Sequence, residues 1–284
     1  MVKEEIHMEI KTVWAVYFSG TGTTEKVATH LAKSLAGQLG AQYKSHDYTQ
    51  PKGRENALQF GPDELVVLGT PVYAGRVPNM MLPFVQNSIH GEGTLSVPVV
   101  LYGNRNFDDG LMELKQVMTA NGFLPIAGAA IVGEHSFSKI LGAGRPDGED
   151  MALVDQLARQ TAEKVKGLAA LPAEPVQVEG CDPIRPYYTP RDRNGEPIKD
   201  FLKAKPVTDL DKCVRCGLCA RLCPMGAIDP NDVSQVVGKC IKCCACVKKC
   251  PMGAKYFDHE GYLYHQHELE DLYAARRAES KIFI

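Results

Sequence analysis

The first 180 residues of this 284-residue chain contain no cysteine, although the chain has ten. A disulfide framework would staple the larger part of the fold as well. No secretory leader is legible where Met1 to Lys11 alternates charged and apolar residues. Reduced thiols holding metal in a reducing compartment fit this distribution better. Also missing is any apolar run near the roughly 18 residues of a membrane span. Nor is there a surplus of charge, since the formal net value is −2. Residues 1–165 carry 14 Lys and Arg against 18 Asp and Glu, while residues 207–257 carry 8 against 4. These absences predict a soluble, cytoplasmic protein without a membrane span, and nothing in the pattern fixes its oligomeric state.

The length suits one ordinary core plus a smaller unit. Apolar runs at Thr12–Phe18, Glu64–Gly69, Val97–Tyr102 and Gly128–Val132 read as buried strands, and Ala41–Tyr48 as a weaker one. Helical periodicity follows from Glu25 to about Gly37 and near 79–90, 108–121 and 149–169. Five strands separated by helices predict a doubly wound parallel α/β sheet over residues 1–170. Seven prolines between Pro172 and Pro206 predict an extended connector over 171–206, with Tyr187, Tyr188, Ile198 and Phe201 as apolar handles. A cysteine-rich unit over 207–257 and an extension over 258–284 complete the division. His267 to Glu279 reads as a short charged helix.

Nine cysteines lie between Cys213 and Cys250, in a pattern Cys-x2-Cys-x2-Cys-x3-Cys-Pro-Met-Gly-Ala that starts at 213 and recurs 27 residues later at 240. Three thiolates at that spacing wrap one loop around three corners of a 4Fe-4S cube, and the fourth cysteine of each run ligates the other cluster. The repeat therefore predicts one cluster on Cys213, Cys216, Cys219 and Cys250, and a second on Cys240, Cys243, Cys246 and Cys223. Two zinc sites would require a different spacing. With a formal charge of about −2 on each ligated cluster, the lysine surplus of this region is cancelled, which argues against a nucleic-acid partner. Cys244 reads as a small buried residue pointing away from its ligand neighbours, and Cys181 as inert. Lys242, Lys248, Lys249 and Lys255 would either favour the reduced clusters or form a solvated basic face. Over 207–257 the chain resembles the two-cluster bacterial ferredoxins, which implies a small α+β unit.

After the first strand, Ser19-Gly-Thr-Gly-Thr-Thr24 runs directly into a helix. Unpaired amides and the positive dipole end of a helix, with four hydroxyls, suit a terminal phosphate. A Rossmann reading has Gly20 and Gly22 but Glu25 in place of its third glycine. The loop resembles the phosphate loop of the flavodoxins, with Ser19, Thr21, Gly22, Thr23 and Thr24 in matching positions. That resemblance implies FMN, strand order 2-1-3-4-5, and two further loops at the carboxyl edge of the sheet. The first is Thr70 to Arg76, with Pro71, Val72, Tyr73, Ala74 and Gly75. The second is Gly103 to Asp109, with Asn104, Arg105 and Phe107. Tyr73 and Phe107 are candidates to sandwich the flavin ring, backbone near Ala74, Gly75 and Asn104 to bond its polar edge, and Arg76 or Arg105 to stabilise an anionic reduced flavin. His135 reads as structural.

Together the two regions resemble the flavodoxin-ferredoxin fusion proteins of anaerobes. That resemblance implies an intracellular electron carrier or adaptor between low-potential redox partners, ferredoxin-dependent enzymes or low-potential donors. The alternative is an FMN-dependent reductase of a small organic acceptor, fed through the clusters. No catalytic residue is assigned by the sequence.

Overall fold

The computed structural model describes residues 9–284; Met1 to Met8, most of the amino-terminal alternation noted above, lie outside the described residues. β1 (Thr12–Tyr17), β2 (Gln42–Asp47), β3 (Glu64–Pro71), β4 (Thr94–Tyr102) and β5 (Gly128–Val132) are parallel neighbours in the order 2-1-3-4-5. All nine residues of β4 are buried, as a central strand covered on both faces requires. β2 is a sheet edge with exposed Gln42, Lys44 and Ser45, which explains its weak apolar signal.

Helices α1 (Thr23–Leu39) and α4 (Gly148–Lys166) cover one face of the sheet, while α2 (Leu82–Ser88) and α3 (Gly110–Ala120) cover the other. On α1 the buried stripe is Val27, Ala28, Leu31, Ala32, Leu35 and Ala36, a helical 3–4 spacing. The helix stops at Gly40, whose left-handed backbone returns its amide to the Ala36 carbonyl. Asp147 and Asp150 form a reciprocal capping box at the start of α4.

In the cysteine-rich region β6 (Val207–Thr208) pairs antiparallel with β7 (Lys255–Tyr256), and between them lie two single-turn helices, α5 (Leu218–Arg221) and α6 (Ala245–Lys248). The repeat in sequence is a repeat in conformation. Arg215 and Lys242 both take positive φ, 52° and 56°, and Gly226 and Gly253 turn at 58° and 60°. The amides of Ala227 and Ala254 each donate to the sulfur four residues back, on Cys223 and Cys250, at 3.3 Å.

The carboxyl-terminal helix differs from its sequence expectation. α7 spans Glu260–Tyr273 instead of 267–279, because the stripe it buries, Tyr262, His265 and Leu269, begins earlier than its charge pattern suggests. Beyond it β8 (Lys281–Phe283) pairs antiparallel with β5 and extends the large sheet at that edge. The connector is pinned, not loose. The Val176 amide bonds the Pro125 carbonyl, Arg185 grips Asp109 through Nε and Nη2 of its guanidinium, and Tyr187 donates its hydroxyl to the Val77 carbonyl. No helix among the described residues is long and apolar enough to cross a membrane.

Candidate functional site

The cysteines gather around two cavities. Cys213, Cys216, Cys219, Cys246 and Cys250 line one. Cys223, Cys240, Cys243, Cys244 and Cys246 line the other. These groupings bring each fourth cysteine to the opposite run. Among the described residues no three His, Cys, Asp or Glu side chains converge on a single metal ion. Burial pushes the thiols of Cys219, Cys240, Cys243 and Cys246 up. Burial would raise Cys250 too, but amides from Met252 to Lys255 outweigh it and lower that thiol. Metal binding at the raised thiols must release protons.

Three of the four lysines noted in the repeat are not solvated. Lys242 is buried, its Nζ donating to the Leu202 carbonyl at 2.9 Å, and burial lowers its pKa. Lys255 is buried and donates to the Val233 carbonyl. Lys248 reaches the first domain, where it pairs with Glu134 and donates to the carbonyls of His135 and Ser138 at 2.7 and 2.6 Å. Lys249 is exposed. Cys244 is buried against Phe257 and Tyr262, its sulfur 3.3 Å from the Tyr262 hydroxyl. Cys181 is exposed.

At the carboxyl edge of the large sheet, the phosphate loop is held open by its own first serine. The Ser19 hydroxyl accepts from the amides of Gly22 and Glu25 at 3.2 and 3.1 Å, and the Ser19 amide donates to Thr49 Oγ1 at 2.7 Å. Gly22, with φ 104°, caps α1 without a side-chain bond. That leaves the amides of Thr21, Thr23 and Thr24 with no partner among the described residues, a set of donors suited to a phosphate. The residues present fit the phosphate end of FMN.

The second loop turns back on itself through Ala74 and Gly75, with Tyr73 and Arg76 exchanging backbone bonds. Tyr73 stands edge-on to Phe18 at 6.3 Å, and burial lifts its phenol well above the ordinary value, with the Cys243 thiol adding to the effect. Pro71 and Val72 continue from β3, and the Val72 amide bonds the Leu101 carbonyl.

The third loop is engaged elsewhere. The ring of Phe107 packs on Tyr102 in the core at 5.5 Å. The Asn104 side chain donates to the carbonyls of Tyr273 and Arg276 and accepts from the Ala278 amide. Arg105 pairs with Asp108 and lies over the Tyr188 ring, while Arg76 pairs with Glu113 and lies over Tyr187. Gly103 is covered by His135, whose ring a Cβ there would strike. Burial, with the Lys248 cation next, lowers the His135 pKa to about 3 and keeps the ring neutral.

Sequence reasoning did not foresee how the regions meet. A Cβ on Gly20 would lie 3.1 Å from the Cβ of Cys243 and 3.6 Å from the Tyr73 hydroxyl, so glycine lets the second cysteine run rest on the phosphate loop. Gln50 and Arg54, just beyond β2, donate to the carbonyls of Leu222 and Pro224 beside Cys223. The 27-residue repeat holds no signal for either contact, because both depend on tertiary placement.

With this geometry in hand, two family models match the chain. Residues 15–97 match a flavodoxin domain and residues 206–229 a 4Fe-4S binding domain. No curated protein matches the chain. Among solved structures, a flavodoxin from the domain Archaea is 15% identical over 55% of this chain and 99% of its own, with a TM-score of 0.39. The flavodoxin of Streptococcus pneumoniae TIGR4 is 20% identical over 54% of this chain and 99% of its own, with a TM-score of 0.37. The chain joins an amino-terminal flavodoxin domain to a carboxy-terminal iron-sulfur domain. It is a flavin and iron-sulfur electron-transfer protein, and such domains work with redox partners.

Proposed function

We propose that the chain is an electron carrier or adaptor between low-potential redox proteins, using two 4Fe-4S clusters and one FMN. The observation that carries this reading is the seating of Cys243 on Gly20 and Tyr73, which sets one cysteine group directly against the flavin loop. Cys213, Cys216, Cys219 and Cys250 would hold one cluster, and Cys223, Cys240, Cys243 and Cys246 the other. Ser19, Thr21, Gly22, Thr23 and Thr24 would hold the phosphate, with Tyr73 at the ring. Bound FMN exchanges one or two electrons and a cluster one, so a chain with both links single-electron to paired-electron chemistry.

The chain's own groups favour that use. Buried Cys243 and Cys246 and half-buried Tyr73 limit water at the contact, and Lys242, Lys248 and Lys255 place positive charge around thiolates that become more negative on reduction. The flavin unit would span residues 1–170 and the cluster unit 207–257, with 171–206 joining them and 258–284 packing on both. A cytoplasmic setting goes with clusters held by thiolates.

The test is composition after anaerobic reconstitution. The expected result is about eight irons with matching sulfide and one FMN per chain. Protein that takes up iron but no FMN, or only about four irons, would overturn the corresponding part of the reading.

A further inference from the structure

The phosphate loop from Ser19 to Thr24 contains no cation. Lys26, the nearest in its own helix, is turned to the Pro146 carbonyl at 2.8 Å. A phosphate monoester brings a charge of about −1.5 to −2 at neutral pH, which helix amides and hydroxyls meet only in part. The structure supplies a cation from the other domain. The ammonium of Lys249 lies 3.9 Å from where a Cβ on Gly22 would stand, over the residue that opens α1. Its neighbour Lys248 is anchored on Glu134, His135 and Ser138, which fixes the direction from which Lys249 approaches. Lys249 itself is exposed and makes no ion pair among the described residues.

We propose that Lys249, although it belongs to the second cysteine run, is a ligand of the flavin phosphate. The inference rests on the FMN reading above and deepens it, because the flavin site is then completed only when the iron-sulfur domain is docked. By linkage, phosphate binding strengthens that docking as much as docking strengthens binding.

The experiment uses full-length, cluster-loaded protein stripped of flavin, titrated with FMN and separately with riboflavin, and read by quenching of flavin fluorescence. Lys249→Gln is expected to weaken FMN by about ten- to a hundredfold, the loss of one charge-assisted bond, and to leave riboflavin binding unchanged. Lys249→Arg should retain most of the FMN affinity. Lys239→Gln, which removes an exposed charge elsewhere in the same domain, should change neither. Iron and sulfide per chain should be equal in all four proteins. Unaltered FMN affinity in Lys249→Gln, or equal weakening of riboflavin, overturns the role of Lys249 while the FMN reading stands. A wild-type protein that binds no FMN overturns both.

Discussion

Cys244 occupies in the second cysteine run the place that Gly217 holds in the first, and both take left-handed backbone, at φ 58° and 70°. For a residue with a Cβ that conformation costs about 1–3 kcal/mol. The compensation is local: Cys244 packs among Ala204, Phe257 and Tyr262, whereas Gly217 is only half-buried. Its neighbours' roles are separable by substitution. Cys223→Ser is expected to damage the cluster of Cys240, Cys243 and Cys246 and to leave the one on Cys213, Cys216, Cys219 and Cys250, as read by electron paramagnetic resonance of the reduced protein. Loss confined to the group of Cys213 would refute crossed ligation. At this scale the gathering of the cysteines was legible, since the 27-residue repeat marks the two runs that line the cavities. Phe107 was not, because its position in a loop says nothing of whether the ring turns to a ligand or to Tyr102.

Among the elements, the segment after α7 had the weakest signal and makes some of the most specific contacts. The guanidinium of Arg276 donates to the carbonyls of Asn104 and Arg105, and Arg277 pairs with Asp147 and Glu149 at the cap of α4. Asn104, with φ 64°, is thereby held on its backbone and side chain at once. Arg276→Ala is expected to lower stability by about 1–3 kcal/mol, the range for a charged donor withdrawn from partly buried acceptors. Hydrogen exchange should quicken across residues 103–109 and stay unchanged in α1; equal exchange at 103–109 in both proteins would show that the tail does not order that loop. Four of the five parallel strands were legible because each is an apolar run long enough to cross a buried sheet, while edge strand β2 gave only a weak signal. β8 was not, since three residues reveal no partner until the edge of β5 is in place.

For the whole molecule, the decisive relation is between domains. Stopped-flow mixing without oxygen should show cluster bleaching that precedes or accompanies flavin reduction when the donor is a reduced ferredoxin. The encounter rate should fall as salt rises, because the acidic donor would be drawn to lysines and arginines of the cysteine region. NADH and NADPH alone should react slowly, for the loop at Gly20 lacks the third glycine of a nicotinamide fingerprint. Fast flavin reduction by either, with the clusters following, would favour the reductase alternative. The sequence disclosed both domains. It could not disclose that Cys243 rests on Gly20, which arises from folds assembled some two hundred residues apart.

The antiparallel strand β8 gives the chain an unusual route: it leaves the large sheet after α4, builds the iron-sulfur region, and comes back to pair with β5. The iron-sulfur region is thus moored at both ends to the flavodoxin domain, like a handle on a cup instead of a flag on a pole. A cut in the exposed turn around Gly195 would sever the connector without setting that region adrift, since β8 and the grip of Arg54, Gln50 and Lys248 still bind the two pieces. Contact between the halves is therefore a property of the fold and not of the leash.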